Sequence, residues 1–290
     1  MTALLSPRTR ERLAVLDLAV RRAGGGGGSG ERSAGTAGAG SIFHEHRNYT
    51  PGDDLRYVDW NAYGRLRTLH VKVFELEENL DVHLLVDTTA SMGSGPGSKL
   101  EAGLRAAAMA GATALARGDV VRLSVLPGGA AKAYASAAST PDLLGALESA
   151  RPSARTPLAD AVRASFPRLR RRGYALLVTD FLDEPASWLR AIVYLCHVRV
   201  ELTCLHVVSS AERNPGAGGP LRLADVETGE TIDLDVDAAL LARYRQRFEK
   251  RLREVRAYLR GKRVRHVLVE TAHAEEPELL RQLLREGVLR

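Results

Sequence analysis

Short apolar runs alternate with longer amphipathic stretches along most of this chain. The apolar runs have the length of buried strands and predict them at 82–86, 119–126, 174–179, 198–208 and 264–270. The amphipathic stretches have helical spacing and predict helices at 98–117, 157–171, 185–195, 237–260 and 276–286, with a further helix after Thr140-Pro141. This alternation predicts an α/β fold, a doubly wound and mostly parallel sheet with helices on both faces.

Other segments have different patterns. Apolar residues at helical spacing predict a helix over 7–22, alternation predicts a strand at 69–74, and an edge strand is expected near 131–135. The predicted organisation is an N-terminal helix (1–22), a Gly-rich flexible linker (23–40), a segment rich in strands and turns (41–80) and an α/β domain (81–290) with a β-hairpin insertion near 221–235.

Composition and charge exclude several classes of protein. With 45% hydrophobic residues the chain can bury an ordinary core, and it has no apolar run that predicts direct membrane insertion. Two cysteines, Cys196 and Cys204, and an N-terminus unlike a secretion signal favour a cytoplasmic protein. Eleven lysines and arginines against two glutamates at 243–265 indicate a solvated helix face rather than a nucleic-acid site.

Carboxylate and hydroxyl side chains lie in three loops that follow predicted strands. Asp87, Thr89 and Ser91 come directly after the first strand of the sheet, Thr156 lies in a second loop, and Asp180 lies in a third. The carboxyl ends of parallel strands share one edge of a sheet, where ligands bind, so we expect these side chains to lie close together. Such oxygen ligands suit a hard divalent cation, and we predict Mg²⁺ or Mn²⁺ here, with no catalytic residues and no small-molecule substrate.

Each of these residues also has a purely structural explanation. An Asp after a strand is commonly a helix N-cap, and a Thr before Pro commonly starts a helix. Their joint occurrence in three loops favours a metal site over caps alone. Two carboxylates and three hydroxyls leave room for one more oxygen, and a carboxylate of a partner protein is the natural donor.

The same residues resemble the metal-ion-dependent adhesion site of von Willebrand factor type A domains, in which Asp-x-Ser/Thr-x-Ser is followed by a Thr and then an Asp. The resemblance assigns Asp87, Thr89 and Ser91 to the first loop of that site, Thr156 to the second and Asp180 to the third. It implies a type A-like fold and an interaction with an acidic residue of a partner through Mg²⁺.

The segment from Tyr49 to Trp60 is very similar to the signature of the bacterial domain of unknown function 58 family, which precedes a type A domain. Ser98-Lys99-Leu100 and Thr179-Asp180-Phe181 agree with the family too. The resemblance implies the short soluble form, without the two transmembrane helices of many members. It also implies a MoxR-type AAA+ ATPase as partner in protein maturation or remodelling, and membrane-anchored type A domain proteins as further partners. The signature residues are Pro51, Gly52, Asp53, Asp54, Arg56, Asp59 and Trp60.

The signature also has a local interpretation. Pro51-Gly52 fits the central positions of a type II turn. Asp53 and Asp54 are expected to pair with nearby arginines in a clasp rather than to form a second ligand site. Trp60 is expected to fill the seam between this segment and the sheet rather than to bind a ligand. The arginines expected to reach the two acids are Arg56, Arg65 and Arg67.

Two alternative functions stay open. A metal-dependent hydrolase could use Asp87, Asp180 and Asp183 around a cation, although no His or Lys is expected beside these loops as a general base. A nucleic-acid-binding protein could use the basic helix 243–265. ATP hydrolysis is not expected, since the chain has no Gly-x-x-x-x-Gly-Lys-Ser/Thr loop.

Overall fold

The computed structural model divides the chain into two compact units. One unit is residues 23–79, and the larger unit combines 1–22 with 80–290. The predicted flexible linker at 23–40 lies outside the described residues. The structure describes residues 4–20, 41–76, 79–93, 98–128, 131–153, 156–165, 173–198, 200–216, 219–225 and 229–290.

The order of helices and strands follows the sequence pattern closely. The helices are α1 (Pro7–Leu13), α2 (Trp60–Leu66), α3 (Ala90–Gly93), α4 (Lys99–Ala116), α5 (Thr140–Glu148), α6 (Leu158–Ser165), α7 (Pro185–His197), α8 (Ser210–Arg213), α9 (Ala238–Gly261) and α10 (Glu276–Arg285). The strands are β1 (Ser41–Asn48), β2 (His70–Leu76), β3 (Asp81–Asp87), β4 (Val120–Leu126), β5 (Lys132–Tyr134), β6 (Gly173–Thr179), β7 (Val200–Val208), β8 (Gly219–Ala224), β9 (Thr231–Val236) and β10 (Arg265–Glu270).

The larger unit is built on one main sheet, in which the described strands have the order β10-β7-β6-β3-β4-β5. β5 is an antiparallel edge strand beside β4, and the other neighbours pair in parallel. The chain moves from β3 to β4 on one side and later to β6 on the other. The topological switch point therefore lies between β3 and β6. The predicted doubly wound, mostly parallel fold is confirmed.

Helices cover both faces of this sheet. Along β3, Leu84 faces an apolar cluster that includes α4, α5 and α10, whereas Leu85 faces a cluster that includes α6, α7 and α9. β6 is buried along its whole length, as its uninterrupted apolar sequence predicts for a central strand. The carboxyl ends of β3 and β6 are thus held side by side by a core on either face.

The N-terminal helix is shorter than predicted. α1 ends at Leu13, and the following residues run beside the end of the chain instead of continuing the helix. Asp17 and Arg290 exchange two backbone hydrogen bonds of 2.9 Å, and Leu18 forms a β-bridge with Leu289. The apolar spacing that indicated a helix serves burial in this extended segment, where Leu18 is 1% exposed.

Two smaller sheets complete the described structure. β1 and β2 form an antiparallel pair in the unit 23–79, and β8 and β9 form the predicted hairpin. No helix in the described part of the chain is both long and apolar enough to span a bilayer.

Candidate metal centre

The first predicted ligand loop begins at the carboxyl end of β3. Asp87 is only 5% exposed, and its Oδ1 accepts hydrogen bonds from the Thr89 amide at 2.9 Å and the Thr89 hydroxyl at 2.8 Å. The Thr89 hydroxyl lies 3.2 Å from that of Ser91. The structure therefore brings the three first-loop residues into one group of neighbouring oxygen atoms.

The end of β6 supplies the second side of this group. The Thr179 hydroxyl donates to Asp87 Oδ2 at 2.7 Å, and Asp180 follows it, 4% exposed. Burial and, after it, the charge of Asp180 raise the pKa of Asp87 from 3.8 to about 6. In the described part of the chain, the hydrogen-bond partners of Asp87 are Thr89 and Thr179, both of them neutral.

The second loop is attached to the first through Ser153. The Thr88 carbonyl accepts from the Ser153 amide at 2.6 Å and from its hydroxyl at 3.0 Å. Thr156 follows in the same loop, half-buried, just before α6. Within the described residues no hydrogen bond joins Thr156 to Asp87.

A lysine that the sequence analysis assigned no role contacts the third loop. Lys99 is 0% exposed, and its Nζ lies 2.7 Å from Asp180 Oδ2 and 2.5 Å from Glu212 Oε1. The other oxygen of Asp180 accepts from the Leu182 amide at 3.0 Å. The expectation that no Lys lies beside the ligand loops is therefore wrong. The sequence contained one signal of a partner for Lys99. It is the first residue of an otherwise Ala-rich helix, where a positive charge opposes the helix dipole.

Neither nearby base is placed for catalysis. Lys99 is fully enclosed between two carboxylates, so no substrate reaches its nitrogen. His206 is 3% exposed, packs against the Phe181 ring at a centroid distance of 5.0 Å, and its Nδ1 lies 3.3 Å from His266. Burial, with the neighbouring His266, lowers the pKa of His206 to about 3. Both side chains are therefore withdrawn from solvent.

Carboxylate and hydroxyl oxygens form the candidate donor set, and no three His, Cys, Asp or Glu side chains in the described residues cluster as metal ligands. Three carboxylates, those of Asp87, Asp180 and Glu212, are connected to this site, and the one ammonium among them belongs to Lys99. Two negative charges are left when all three acids are ionised. Hydroxyl and carboxylate oxygens are also the ligands that Mg²⁺ and Mn²⁺ prefer.

The signature residues form a separate local network in the unit 23–79. Gly52 has φ +108°, and the Asp53 amide donates to the Thr50 carbonyl at 3.0 Å, as the predicted turn requires. Asp53 binds Arg47 through two hydrogen bonds, of 2.7 and 2.5 Å. Asp54 pairs with Arg56 at 2.6 Å. The clasp is therefore present, but Arg47 takes the place expected of Arg65 and Arg67.

Asp59 and Trp60 end the signature. The Asp59 carboxylate caps α2 by accepting from the Asn61 and Ala62 amides at 3.0 Å. The Ala62 amide, followed by His46, lowers the pKa of Asp59 to about 2. Trp60 is 59% exposed, and helical spacing sets its ring edge-on to Tyr63 on α2.

Replacing Lys99 with Met should destabilise the fold strongly. The change leaves the buried carboxylate of Asp180 without its cation, and loss of one partner of a buried pair costs roughly 3–5 kcal/mol. Urea unfolding measures the loss. Lys250→Met, at an exposed pair with Glu254 whose charged atoms are 3.8 Å apart, is the control and should cost less than about 1 kcal/mol. Similar small losses in both variants would contradict the assignment.

Asp87 should make the stability of the metal-free chain depend on pH. Its pKa is raised in the folded state, so this carboxyl stabilises the fold below about pH 4 and loses that contribution as the pH rises through about 6. In chelator, Asp87→Asn should gain stability over the parent between these values, by up to about 3 kcal/mol. Urea unfolding across this range tests it, with Asp142→Asn on the exposed start of α5 as control. A difference that does not change with pH would contradict it.

A protein family and several individual proteins are similar to this chain in sequence. A family described as "Protein of unknown function DUF58" matches residues 45–258. "Uncharacterized protein Mb1516" of Mycobacterium bovis and "Uncharacterized protein Rv1480" of Mycobacterium tuberculosis are each 30% identical to this chain over 242 residues. Each alignment covers 81% of this chain and 76% of the relative.

Solved structures also align with the chain. BatB from Bacteroides thetaiotaomicron is 14% identical and covers 72% of this chain and 99% of its own, with a TM-score of 0.40. An aerotolerance-related membrane protein from Bacteroides fragilis is 16% identical and covers 71% and 100%, with a TM-score of 0.39. Mussel byssus proximal thread matrix protein 1, with a zinc occupied MIDAS motif, is 17% identical and covers 44% and 36%, with a TM-score of 0.34.

All three TM-scores are below 0.5, so these alignments with solved structures carry no argument about this chain. The family match is different, because it covers most of the chain and includes both the signature segment and the strands that end at Asp87 and Asp180. With the mycobacterial relatives, it shows that this chain belongs to the DUF58 family of proteins of unknown function.

Proposed function

We propose that this chain is a non-enzymatic interaction module that binds an acidic side chain of a partner protein through a divalent cation. The observation that carries the proposal is the buried carboxylate of Asp87, which has neutral hydrogen-bond partners in the described chain and lies beside Asp180. It lies at the switch point, where open α/β sheets bind their ligands. A buried charge without a cationic partner is costly, and a bound cation would offset that cost.

The ligands would come from the three loops. Asp87, Thr89 and Ser91 would hold the ion from the first loop, Thr156 from the second and Asp180 from the third. Each oxygen of Asp180 accepts one hydrogen bond, from Lys99 or from Leu182, and a carboxylate oxygen has room for a further contact. Bound Mg²⁺ or Mn²⁺ supplies an open coordination position that an acidic oxygen of the partner can fill.

A MoxR-type AAA+ ATPase is the partner that we propose for this site, in the maturation or remodelling of other proteins. The support is the resemblance carried by the signature from Pro51 to Trp60 together with the acidic and hydroxyl residues of the three loops. Membrane-anchored type A domain proteins are a second class of proposed partner. The absence of a phosphate-binding lysine loop in the sequence assigns any ATP hydrolysis to the partner.

Titration of the full chain with Mg²⁺ should show one binding event per chain by calorimetry and should raise the melting temperature, because the ion binds the folded state. Asp87→Ala should abolish both effects and keep the circular dichroism spectrum of the parent. Asp142→Ala, an exposed acid on α5, should keep both effects. Absence of binding at millimolar Mg²⁺, even with acetate supplied as a carboxylate ligand, would show that the proposed site is wrong.

Association with a MoxR-type ATPase, measured by pull-down and by interferometry, should require the ion. EDTA and Asp180→Ala should abolish it, and Thr89→Ala, which keeps the Lys99 contact intact, should weaken it at least about tenfold. Salt should weaken it more gradually, through screening of the basic segment 243–265, most of which lies in α9. If salt alone removes the partner while EDTA and both variants have no effect, the metal centre is not the interface.

A further inference from the structure

An apolar groove of about 500 Å³ lies between the β8–β9 hairpin and the start of α9. Its lining side chains remain accessible: Leu221 is 48% exposed, Leu223 46% and Tyr244 38%. A volume of this size falls within the ordinary range of ligand pockets, about 300–1,000 Å³. Single exposed apolar residues are common, but a contiguous set in a groove indicates a binding surface. The apolar lining includes Leu221, Leu223, Leu234, Val236, Leu241 and Tyr244.

The hairpin has different chemistry on its two faces. Leu221 pairs with Leu234, and Leu223 pairs with Ile232, which is 56% exposed. The residues between them alternate to the other face, where Arg222 binds Asp233 at 2.6 Å. One face therefore carries an exposed ion pair, whereas the other exposes apolar side chains that a two-stranded hairpin cannot bury by itself.

The groove is connected to the candidate metal centre through a buried ion-pair contact. Glu212 lines the groove and binds Lys99, whose ammonium also binds Asp180. Tyr244 of the groove donates to the Glu212 carbonyl at 2.6 Å. Glu212 therefore connects the groove to the metal centre, because the ammonium of Lys99 binds both Glu212 and Asp180.

A second connection runs along α9. Arg251 donates to the carbonyls of Phe181 at 2.5 Å and Asp183 at 2.9 Å, which fixes α9 to the loop that contains Asp180. Leu182, between these two carbonyls, is 45% exposed. A ligand at Asp180 would therefore meet apolar surface on the side that leads to α9 and the groove.

We infer that the groove takes apolar side chains of the partner segment whose carboxylate binds at the metal centre, an inference that rests on the proposed function. The charge beside the groove favours an acidic segment. Arg243 and Arg247 flank Tyr244 on α9, both are exposed, and neither forms an ion pair within the described residues. The occupant is accordingly a short acidic and apolar stretch of a partner protein, with one Asp or Glu at the cation.

A displayed library of random twelve-residue peptides, selected on the full Mg²⁺-loaded chain, tests this inference. Enriched peptides should combine an Asp or Glu with neighbouring Leu, Ile or Phe. A synthetic peptide of the consensus sequence is then titrated by fluorescence anisotropy. Leu223→Glu should raise its Kd at least about tenfold and leave Mg²⁺ binding by calorimetry unchanged. Val15→Glu, at an apolar residue that is 76% exposed and outside the groove, is the matched control and should leave the Kd unchanged.

The variants separate this inference from the proposed function. If EDTA and Asp87→Ala abolish peptide binding while Leu223→Glu has no effect, the metal-dependent function stands and the groove inference is wrong. If Leu223→Glu abolishes binding while EDTA and Asp87→Ala have no effect, the groove binds independently, and both are wrong as stated. The inference is also overturned if no acidic and apolar peptide is enriched, or if light scattering shows a dimer that Leu223→Glu dissociates.

Discussion

Burial of negative charge at the switch point is the constraint on which the rest of the site depends. Asp87 and Asp180 end two central strands that are covered on both faces, so both carboxylates are withdrawn from water. Two neighbouring buried carboxylates disfavour each other's ionisation. Among the described residues, the cation that contacts these carboxylates is the ammonium of Lys99, which binds Asp180 and Glu212. Asp87 is balanced by hydrogen bonds alone.

This uneven balance gives the two acids different roles. Asp180 is held by Lys99 and by the Leu182 amide, so its position is set by the start of α4 and by its own loop. Asp87 is oriented by the hydroxyls of Thr89 and Thr179, which stabilise a carboxylate without neutralising it. One acid is an anchored support, and the other keeps its charge available for a ligand. Glu212 lines the groove and shares the ammonium of Lys99 with Asp180, so the groove and the metal centre belong to one ion-pair network.

The sequence predicted the framework well because the framework depends on local pattern. Apolar runs of strand length alternate with amphipathic stretches that have caps, such as Ser98 before α4, and these signals lie within the elements themselves. The loop positions of Asp87 and Asp180 followed from the ends of their strands. The predicted length of α1 was wrong. Beyond Leu13 the apolar residues lie in an extended segment whose Leu18 forms a β-bridge with Leu289, and a contact with so distant a residue leaves no signal in the local sequence.

Other features of the site depend on distant contacts. Lys99 meets Asp180 and Glu212 only when α4, β6 and α8 are assembled, so spacing along the chain carries no trace of the pair. The Arg47 pair with Asp53 is local by contrast, with the two residues 6 positions apart, but the sequence analysis expected only Arg56, Arg65 and Arg67 to reach the two acids.

The pairing of Asp17 with Arg290 makes the larger unit discontinuous in sequence. Val20 and Leu80 both pack in its core, and residues 23–79 form their own unit between them. In topological terms the signature unit is an insertion within a host fold. The entropic cost of closing an inserted chain grows only with the logarithm of its length. Relatives can therefore lengthen or shorten this insertion with little effect on the stability of the host, so long as the two flanking segments retain their packing.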